Sequence, residues 1–542
     1  MNRVLYTIIF ALMLATSCKE VAPEVIQAGA EYASLQLSST SVVVAADEQS
    51  RSIFVATNRT EWQAVSSADW VDVSMEDMTL TLYFDPNSED TDRTAVVDVT
   101  AGAQPDVAKL RIRVLQRGTG GADLSAAGTA NCYIAATEHS YNFDATVKGN
   151  GKGDGYTNYI IANGVKIQGA TYASLAWEAT FDGDKTRSTQ IIDGEPLYDA
   201  EQGRVYFTTG SSEGNALITL HDGRGKVLWS WHIWVTNQTP KTSYGKRLDW
   251  MDRNLGALSN DIGDIANRGM LYQWGRKEPF LPSYVEYMEV PKHSYDEDYN
   301  LLESEEEYYA IQTEIERVRT LVNLNNTQIG NGNSPWAYVG QVPPVALSAP
   351  GNIEYAIEHP TTVLGCRVDI PIGEYVFDWY LQQDLIAANG MMQQSQSYLW
   401  GDAQQGTDYK SIFDPCPPGY AVPPCGAFGT LESGYACTYV STEWEVADYG
   451  WRWRGGNGDY FPSTGNLDVS GLIGETSEKM LYWTAESFGS GASGFGKSAT
   501  LFVAFNDVYY GIYPILDPNE ASAWYSYGAR CYAAPVRCVK EN

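Results

Sequence analysis

The sequence predicts a mainly β protein of several domains, with an α+β part at its carboxyl end. The chain has 542 residues, more than one domain usually holds. It is rich in Thr, Val and Tyr and contains 50 Gly, a composition that favours strands and turns. Short alternating apolar runs separated by Gly, Asp and Asn recur along it, as strands joined by turns do.

The first domain, residues 34–118, is predicted to be a β-sandwich of the immunoglobulin-like class. Seven alternating runs follow one another at the spacing of roughly 8–12 residues that sandwich strands show. Turn-formers such as Asp85-Pro86-Asn87 separate them. The runs span residues 41–45, 52–57, 62–65, 70–74, 80–84, 94–100 and 109–116.

This region resembles a BACON domain, a small immunoglobulin-like module of Bacteroidetes. The resemblance implies either sugar binding or a spacer that holds a partner domain off the membrane. We favour the spacer, because Trp62 and Trp70 stand in strand-like alternation and are predicted to pack in the core. The resemblance rests on Trp62, residues 67–71, Asn87, residues 93–95 and residues 114–118.

A second β-rich domain, β-sandwich-like, is predicted at residues 122–245, after the flexible joint formed by residues 118–121. Gly- and Asp-rich turns separate its strand candidates. The run Trp229-Ser230-Trp231-His232-Ile233-Trp234 alternates bulky and variable residues, as a central strand does. The candidates span residues 131–135, 157–161, 173–179, 204–208, 215–221 and 227–236.

The third domain is predicted at residues 246–542 and carries the helical content. Residues 301–321 contain many Glu side chains and predict a charged, exposed helix. The Pro-rich segment 414–423 predicts a rigid turn. The last residues, 534–540, predict a terminal strand.

The second and third regions together resemble a recurrent module of Bacteroidetes surface proteins, also found in fimbrillin-like and adhesin-like proteins. The third region resembles the major paralogous domain of Fibrobacter, which implies a C-type-lectin-like fold. The family has no settled activity, so the resemblance implies no particular chemistry. It rests on residues 130–134, 229–234, 252–257, 272–280, 378–379, 399–401, 414–423 and 536–540.

The amino terminus predicts export and lipidation. Arg3 is followed by an apolar run at residues 4–15, which is shorter than the roughly 20 residues that span a bilayer. Small residues then precede Cys18, so the pattern resembles a bacterial lipoprotein signal. It implies that residues 1–17 are removed, that Cys18 carries lipid, and that residues 18–33 form a linker. The predicted location is the outer membrane, at the cell surface.

Charge restricts the possible partners. The chain has 36 Lys+Arg against 67 Asp+Glu, a formal net charge of −31. Binding nucleic acid or anionic lipid requires a basic surface, which this balance disfavours. We therefore expect no nucleic acid partner, and membrane attachment through the lipid at Cys18 alone.

No residue pattern predicts catalysis, a metal or a cofactor. No Gly-x-Ser-x-Gly elbow has plausible Asp and His partners. The many acidic residues will form pairs by chance, so their number does not indicate a glycosidase. Glu278-Pro279-Phe280 and Phe505-Asn506-Asp507 are incomplete versions of the calcium motifs of C-type lectins. We expect a protein that is not an enzyme and holds no metal or cofactor.

If Cys18 carries lipid, seven of the eight cysteines remain, an odd number. The C-type-lectin-like resemblance implies that the terminal strand returns beside the core, which pairs Cys416 with Cys538. Cys425 and Cys437 are candidates for a second disulfide across a hairpin. Cys132, Cys366 and Cys531 are left without an assigned partner.

One Gly-rich, aromatic segment is the candidate ligand site. Aromatic rings can stack on the apolar face of a sugar, with polar side chains around them to bond its hydroxyls. The alternative is a loop that its own aromatic residues attach to the core. The candidate residues are Trp444, Tyr449, Trp451, Arg452, Trp453, Arg454, Asn457, Asp459 and Tyr460.

The sequence therefore predicts a non-catalytic surface lipoprotein that binds a glycan or a surface protein and is held off the membrane by its first domain. A second hypothesis is an accessory or tip subunit of a fimbria-like assembly. A polysaccharide hydrolase is the third, and it lacks a supporting motif. The corresponding partners would belong to a fimbrial or a polysaccharide-utilisation system.

Overall fold

The computed structural model divides the chain into two compact units. The first comprises the described residues up to Ser88 together with Arg93–Arg117, and the second comprises Glu89–Asp92 and the described residues from Gly118 onward. The structure describes residues 32–152, 158–180, 191–244, 248–282, 284–291, 294–295, 301–302, 308–316, 321–322, 328–329, 337–339, 349–364, 367–369, 374–376, 379, 399–401, 410–424, 427–428, 444–447, 450–453, 459–467, 473–474, 479–488, 498–505, 522–530 and 532–541.

The first unit is a sandwich of two four-stranded sheets. One sheet has the order β1-β3-β6-β5 and the other the order β2-β8-β7-β4, with β2 and β8 parallel and the other pairs antiparallel. All seven predicted strands are present, and β1 precedes them. The strands are β1 Leu35–Leu37, β2 Ser41–Val44, β3 Ser50–Thr57, β4 Trp62–Ser66, β5 Val71–Glu76, β6 Thr79–Phe84, β7 Arg93–Ala103 and β8 Asp106–Gln116.

Alternation along the strands builds the core of this unit. In β6, Leu80, Leu82 and Phe84 are buried. Tyr83, which lies between the last two, is about half exposed, because successive side chains point to opposite faces. Trp62 and Trp70 are partly exposed and pack against this core, consistent with the packing role predicted for them.

The second unit begins with two further sheets. One has the order β13-β14-β11-β9, and the other starts β10-β16-β15-β12. Phe143 of β11 lies 4.9 Å from Trp231 of β16, ring centre to ring centre, so aromatic side chains fill the space between the sheets. The elements are β9 Ala122–Asp123, β10 Cys132–Ala135, β11 Ser140–Asp144, α1 Asn158–Asn163, β12 Ala170–Ala179, β13 Ile192–Asp199, β14 Arg204–Thr209, β15 Gly214–Asp222, β16 Val227–Val235, β17 Thr242–Tyr244, β18 Asp249–Met251, a 3-10 helix Ile265–Asn267 and β19 Leu271–Gln273.

The remainder of the second unit consists of short strands and one longer helix, α2. Its larger sheets have the orders β17-β18-β40-β30, β19-β39-β34-β35, β31-β32-β33 and β36-β37-β38. The elements are β20 Tyr284–Pro291, β21 Ser294–Tyr295, β22 Leu301–Leu302, β23 Tyr308–Glu316, β24 Leu321–Val322, β25 Gln328–Ile329, β26 Ala337–Val339, α2 Ala349–Glu358, β27 Thr362–Leu364, β28 Arg367–Asp369, β29 Glu374–Val376, β30 Tyr420–Ala421, β31 Trp444–Ala447, β32 Gly450–Trp453, β33 Tyr460–Pro462, β34 Asn466–Leu467, β35 Ile473–Gly474, β36 Lys479–Phe488, β37 Ser498–Phe505, β38 Ser522–Ala529, β39 Ala533–Pro535 and β40 Val539–Lys540.

The predicted domain boundary at residues 245/246 does not separate two compact units. A single buried cluster contains residues from Cys132 of β10 to Cys538, which immediately precedes β40. Asn131 shows why, because its side-chain amide donates to the carbonyls of Ile412 (2.7 Å) and Asp414 (2.9 Å). Residues 122–245 and the described part of residues 246–542 therefore share one core.

Two predictions of secondary structure were wrong. The helix predicted at residues 301–321 is replaced by strands, of which β23 pairs antiparallel with β20. Its Tyr309, Ile311 and Ile315 follow the two-residue period of a strand, and the abundance of Glu concealed this pattern. The strand predicted at residues 157–161 is the helix α1. Gly164 follows α1 with φ of +62°, the left-handed conformation that ends many helices.

A disulfide joins Cys416 to Cys538, as the C-type-lectin-like resemblance implied. The two Cα atoms are 6.0 Å apart, and the sequence separation is 122 residues. The bond fixes the Pro-rich turn before β30 to the start of β40, and these strands also pair with each other. Cys425, Cys437 and Cys531 lie outside the described residues, as does Cys18.

We expect the disulfide to stabilise the second unit through its long loop. Replacing both cysteines, Cys416→Ser and Cys538→Ser, should lower the free energy of unfolding by about 5 kcal/mol in the chain-entropy account. Urea unfolding followed by Trp fluorescence measures the loss. The double variant should be insensitive to added reductant, whereas the native chain should weaken. Equal stability of native chain and variant under oxidising conditions would contradict this expectation.

Candidate functional site

The structure buries three aromatic residues of the predicted site. Trp451 and Trp453 are each only 1% exposed, and Tyr460 is 8% exposed. The ring of Trp453 packs edge-on against Trp250, with the ring centres 5.9 Å apart. Two indoles that are covered by the core cannot offer a face to a sugar. The prediction of a stacking platform is therefore wrong for Trp451 and Trp453, and the core-attachment alternative holds.

The other candidates of this segment do not form a site among the described residues. Arg452 is exposed on β32 between the two buried indoles. Asp459 is partly exposed and accepts a hydrogen bond of 2.6 Å from the hydroxyl of Ser243. Trp444 begins β31, where its backbone pairs with that of Trp453. Tyr449, Arg454 and Asn457 lie outside the described residues.

A buried ion network centres on Glu278. Its carboxylate is 2.7 Å from Nζ of Lys277 and 3.2 Å from Nε of Arg276, and the three side chains are at most 2% exposed. Burial alone would raise the pKa of Glu278, but the charges of Lys277 and Arg276 outweigh it and hold the pKa below its usual value. Because both oxygens of Glu278 are paired with these cations, its carboxylate does not offer the calcium ligand that the incomplete motif suggested.

The same network fixes the end of helix α2. Nη1 of Arg276 donates to the carbonyl of Thr362 (2.7 Å), and Nη2 lies 3.4 Å from the carbonyls of Ala356 and His359. Lys277 donates to the carbonyl of Ser230 in β16 (2.9 Å). Arg and Lys complement the negative end of a helix. The network therefore determines where α2 lies against β16.

A second buried network holds His232 neutral. The amide nitrogen of Asn215 donates to the carbonyl of Gly256, so its oxygen accepts from Nε2 of His232 (2.8 Å). Nδ1 then accepts from the hydroxyl of Tyr272 (3.0 Å). Burial lowers the pKa of His232 to about 3. Cys132 pairs with His232 in the strand register, and burial raises the pKa of its thiol, so neither residue is suited to nucleophilic catalysis.

An open cleft of about 230 Å³ lies where α1, α2 and the start of β16 meet. Tyr159 of α1 forms part of its floor and is 5% exposed. Charged side chains from three parts of the chain surround it. The charged residues are Lys148, Lys166, Lys226, Glu354 and Glu358.

Lys148 is the most enclosed charge of the cleft, with 6% of its surface exposed. Nζ donates to the carbonyl of Gly164 (3.0 Å) and lies 4.9 Å from the ring centre of Tyr159. Burial lowers the pKa of Lys148 to about 8, while the charge of Glu354 opposes the shift. The amine therefore remains mostly protonated at neutral pH although little water reaches it.

Ion pairing organises the side of the cleft formed by α2. Lys226 pairs with Glu358 (2.6 Å), and the side-chain amide of Asn163 donates to Glu354 (3.3 Å). Glu354 and Glu358 are one helical turn apart, so both approach the cleft from the same side. Lys166 also lines the cleft and is exposed. The cleft thus offers amine donors and carboxylate acceptors around a small opening, which suits a polar ligand.

Sequence reasoning missed this cleft. Its lysines and glutamates stand at residues 148, 166, 226, 354 and 358, with no spacing that marks a motif. One signal in the sequence could have helped. Gly164 after Asn163 is typical of a helix C-terminus, so it indicates that α1 is a helix and that Lys148 and Lys166 flank it in the sequence.

Comparison with known families identifies part of the first unit. Residues 60–117 match the BACON family, described as a putative binding domain, N-terminal. The first unit contains a BACON domain. The matched segment contains β4 to β8, and β1 to β3 of the same sandwich precede it. No curated protein matches the chain.

Similarities to solved structures are weak. The periplasmic chaperone SfaE gives 12% identity and a TM-score of 0.18, with 37% of this chain and 100% of the chaperone covered. The Escherichia coli chaperone DraB gives 10% identity and a TM-score of 0.17, with 37% of this chain and 96% of the chaperone covered. The Pseudomonas aeruginosa chaperone CupB2 gives 13% identity and a TM-score of 0.18, with 37% of this chain and 100% of the chaperone covered. Scores this low carry no argument about function.

Two negative findings concern the described residues only. No helix among them is both long and apolar enough to cross a membrane. Within the same ranges, no group of three or more His, Cys, Asp or Glu side chains is arranged to hold a metal ion.

Removing the central carboxylate of the ion network should destabilise the second unit strongly. Glu278→Gln leaves Arg276 and Lys277 buried without a counter-charge, which costs about 3–5 kcal/mol. Asp261→Asn, an exposed acidic position in the same unit, is the matched control and should change stability little. Urea unfolding of both variants measures the difference, and similar stabilities would show that the network is not required.

The buried neutral His232 should make the second unit sensitive to acid. Its folded pKa of about 3 lies below the usual 6.5, so the unfolded chain binds the extra proton between these values. The stabilisation of the folded state by neutral His232 is fully present above pH 6.5 and is lost as pH falls toward 3. His232→Gln cannot take up that proton. Urea unfolding between pH 7.5 and 4 should show that the free energy of unfolding of the native chain falls relative to that of the variant by a few kcal/mol. A difference in stability that does not change with pH would contradict this expectation.

Proposed function

We propose that this chain is a non-catalytic surface lipoprotein that recognises a glycan through the cleft of its second unit. The observation that carries the proposal is the cleft between α1, α2 and β16. Its volume of about 230 Å³ is below the range of roughly 300–1,000 Å³ of pockets for drug-sized ligands. That size suits one sugar residue of a longer chain that continues outside the cleft.

The chemistry of the cleft supports a hydroxyl-rich ligand. Lysine amines, the Asn163 amide and the Glu354 carboxylate supply donors and acceptors of both kinds, and sugar hydroxyls can bond to each. Tyr159 lies beneath them, where its ring supports the amine of Lys148. A BACON domain in the first unit is consistent with a binding or adhesin-type protein.

The arrangement of the carboxylates supports binding over hydrolysis. A glycosidase places two carboxyl groups on opposite sides of the bond that it cleaves. Glu354 and Glu358 both come from one face of α2, and Lys226 neutralises Glu358. These positions suit an orienting role for α2.

The first unit and the amino terminus complete the proposal. The signal-like residues 1–17 and Cys18 support export and attachment by lipid, and the BACON-containing sandwich supports a spacer role. Cys18→Ala should abolish incorporation of labelled palmitate and release the protein from the membrane fraction. Protease shaving of intact cells should remove the native protein. Retained lipid label in the variant, or protection of the native protein from protease, would contradict surface lipidation.

Glycan recognition is tested with the protein from residue 19 onward on a glycan array. The native protein should bind a restricted set of glycans. Gln168→Trp, which fills the cleft from its exposed rim, should abolish binding. The double variant Trp451→Phe and Trp453→Phe is the matched control for the buried aromatic segment and should bind normally. An array without any bound glycan, or unchanged binding by Gln168→Trp, would refute the proposed function.

A further inference from the structure

The cleft departs from the charge of the chain as a whole. Acidic residues outnumber basic ones by 67 to 36 in the sequence. Around the cleft, three lysines face two glutamates. The pair of Lys226 with Glu358 satisfies one charge of each sign. Lys148 and Lys166 then face a single carboxylate, that of Glu354, so the cleft has a local excess of positive charge.

Lys148 retains donors for a ligand. An ammonium group has three N–H donors, and the described hydrogen bond of Lys148 uses one of them, at the Gly164 carbonyl. No described carboxylate lies within ion-pair distance of its Nζ, although the side chain is 94% buried. The charge of Glu354 reaches this cation only from beyond ion-pair distance, so an anion bound in direct contact would stabilise it further.

We propose that the cleft recognises an acidic sugar residue, whose anionic group contacts Nζ of Lys148 and is approached by Lys166 from the exposed side. This inference rests on the proposed function and specifies its ligand class. Glu354 and Asn163 then bond the hydroxyls of the same sugar residue. An acidic polysaccharide, such as one built from uronic acids, has this chemistry in every repeat.

The geometry favours a sugar over an acidic peptide. On the α2 side, the cleft is lined by hydrogen-bonding groups that include the carboxylate of Glu354. An acidic peptide side chain would bring a second carboxylate towards Glu354 and would supply no hydrogen-bond donor to separate the two negative charges. A sugar residue places hydroxyls on the carbons beside its acid group. Those hydroxyls can donate to Glu354 while the acid group faces Lys148.

Affinity should depend on pH through Lys148. The groups that face it are Tyr159 on α1, Glu354 and Glu358 on α2, Lys166, and Lys226 before β16. Its amine loses its proton near pH 8 in the free protein. Since a neutral amine does not attract an anion, binding should weaken as pH rises from 7 to 9.5. It should change little between pH 6 and 7, where the amine and the carboxylate of the ligand are both charged.

The test compares oligogalacturonate with the same oligomer as its methyl ester, by isothermal titration calorimetry on the protein from residue 19 onward. Esterification removes the charge and should weaken binding by about 10-fold or more, the effect of one charged hydrogen bond. Lys148→Met should lose a similar factor, and Lys148→Arg should keep binding at pH 9.5. Lys540→Gln, an exposed lysine outside the cleft, is the matched control. A sulfated galactan oligomer distinguishes a carboxylate from a sulfate as the anion.

The possible outcomes separate the two proposals. Binding to neutral glycans that is unaffected by Lys148→Met, yet abolished by Gln168→Trp, would overturn the acidic ligand and retain glycan recognition. Equal affinity for the acid and the ester would do the same. Binding of an oligoglutamate peptide in place of any glycan would overturn the ligand class. The absence of any glycan binding by the native protein would refute the proposed function itself.

Discussion

The position of helix α2 depends on one buried carboxylate, that of Glu278. Ions inside a protein need opposite charges and hydrogen bonds close by, and Glu278 supplies the negative charge that pairs with Arg276 and Lys277. Arg276 in turn bonds the carbonyls at the end of α2, and Lys277 bonds β16. The cleft is formed between these same two elements and α1. A buried network whose three charged residues do not line the cleft therefore sets the separation of the groups that do.

The second unit behaves as one structural body because its polar groups cross between distant parts of the chain. Asn131 bonds the turn that carries Cys416, and the disulfide connects that turn to the start of β40. Trp229 donates to Asn131 as well, at 2.9 Å. These contacts join residues separated by hundreds of positions in sequence. Trp451 and Trp453 of the predicted aromatic site are buried in the second unit and do not lie on its surface.

The sequence predicted strands well where one face is buried. All seven runs of the first unit follow the period of two, and each became a strand. The sequence predicted the wrong element at residues 308–316. The many Glu residues there suggested a helix, although Tyr309, Ile311 and Ile315 follow the two-residue period of a strand. It could not reveal the cleft, because Lys148, Lys226 and Glu354 meet through long-range packing. Nor could it reveal that Trp451 and Trp453 are covered, since aromatic residues suit surfaces and cores alike.

The most direct test of the account is hydrogen exchange of the protein from residue 19 onward, with and without saturating oligogalacturonate. The account predicts slower exchange in the described segments that surround the cleft, residues 147–152, 158–167, 226–228 and 349–364. Exchange in residues 450–453 and 459–462 should not change, because these parts of the aromatic segment do not contact the ligand. Protection confined to residues 450–453 and 459–462 or to the BACON domain, or no protection around the cleft, would contradict the assignment of the site.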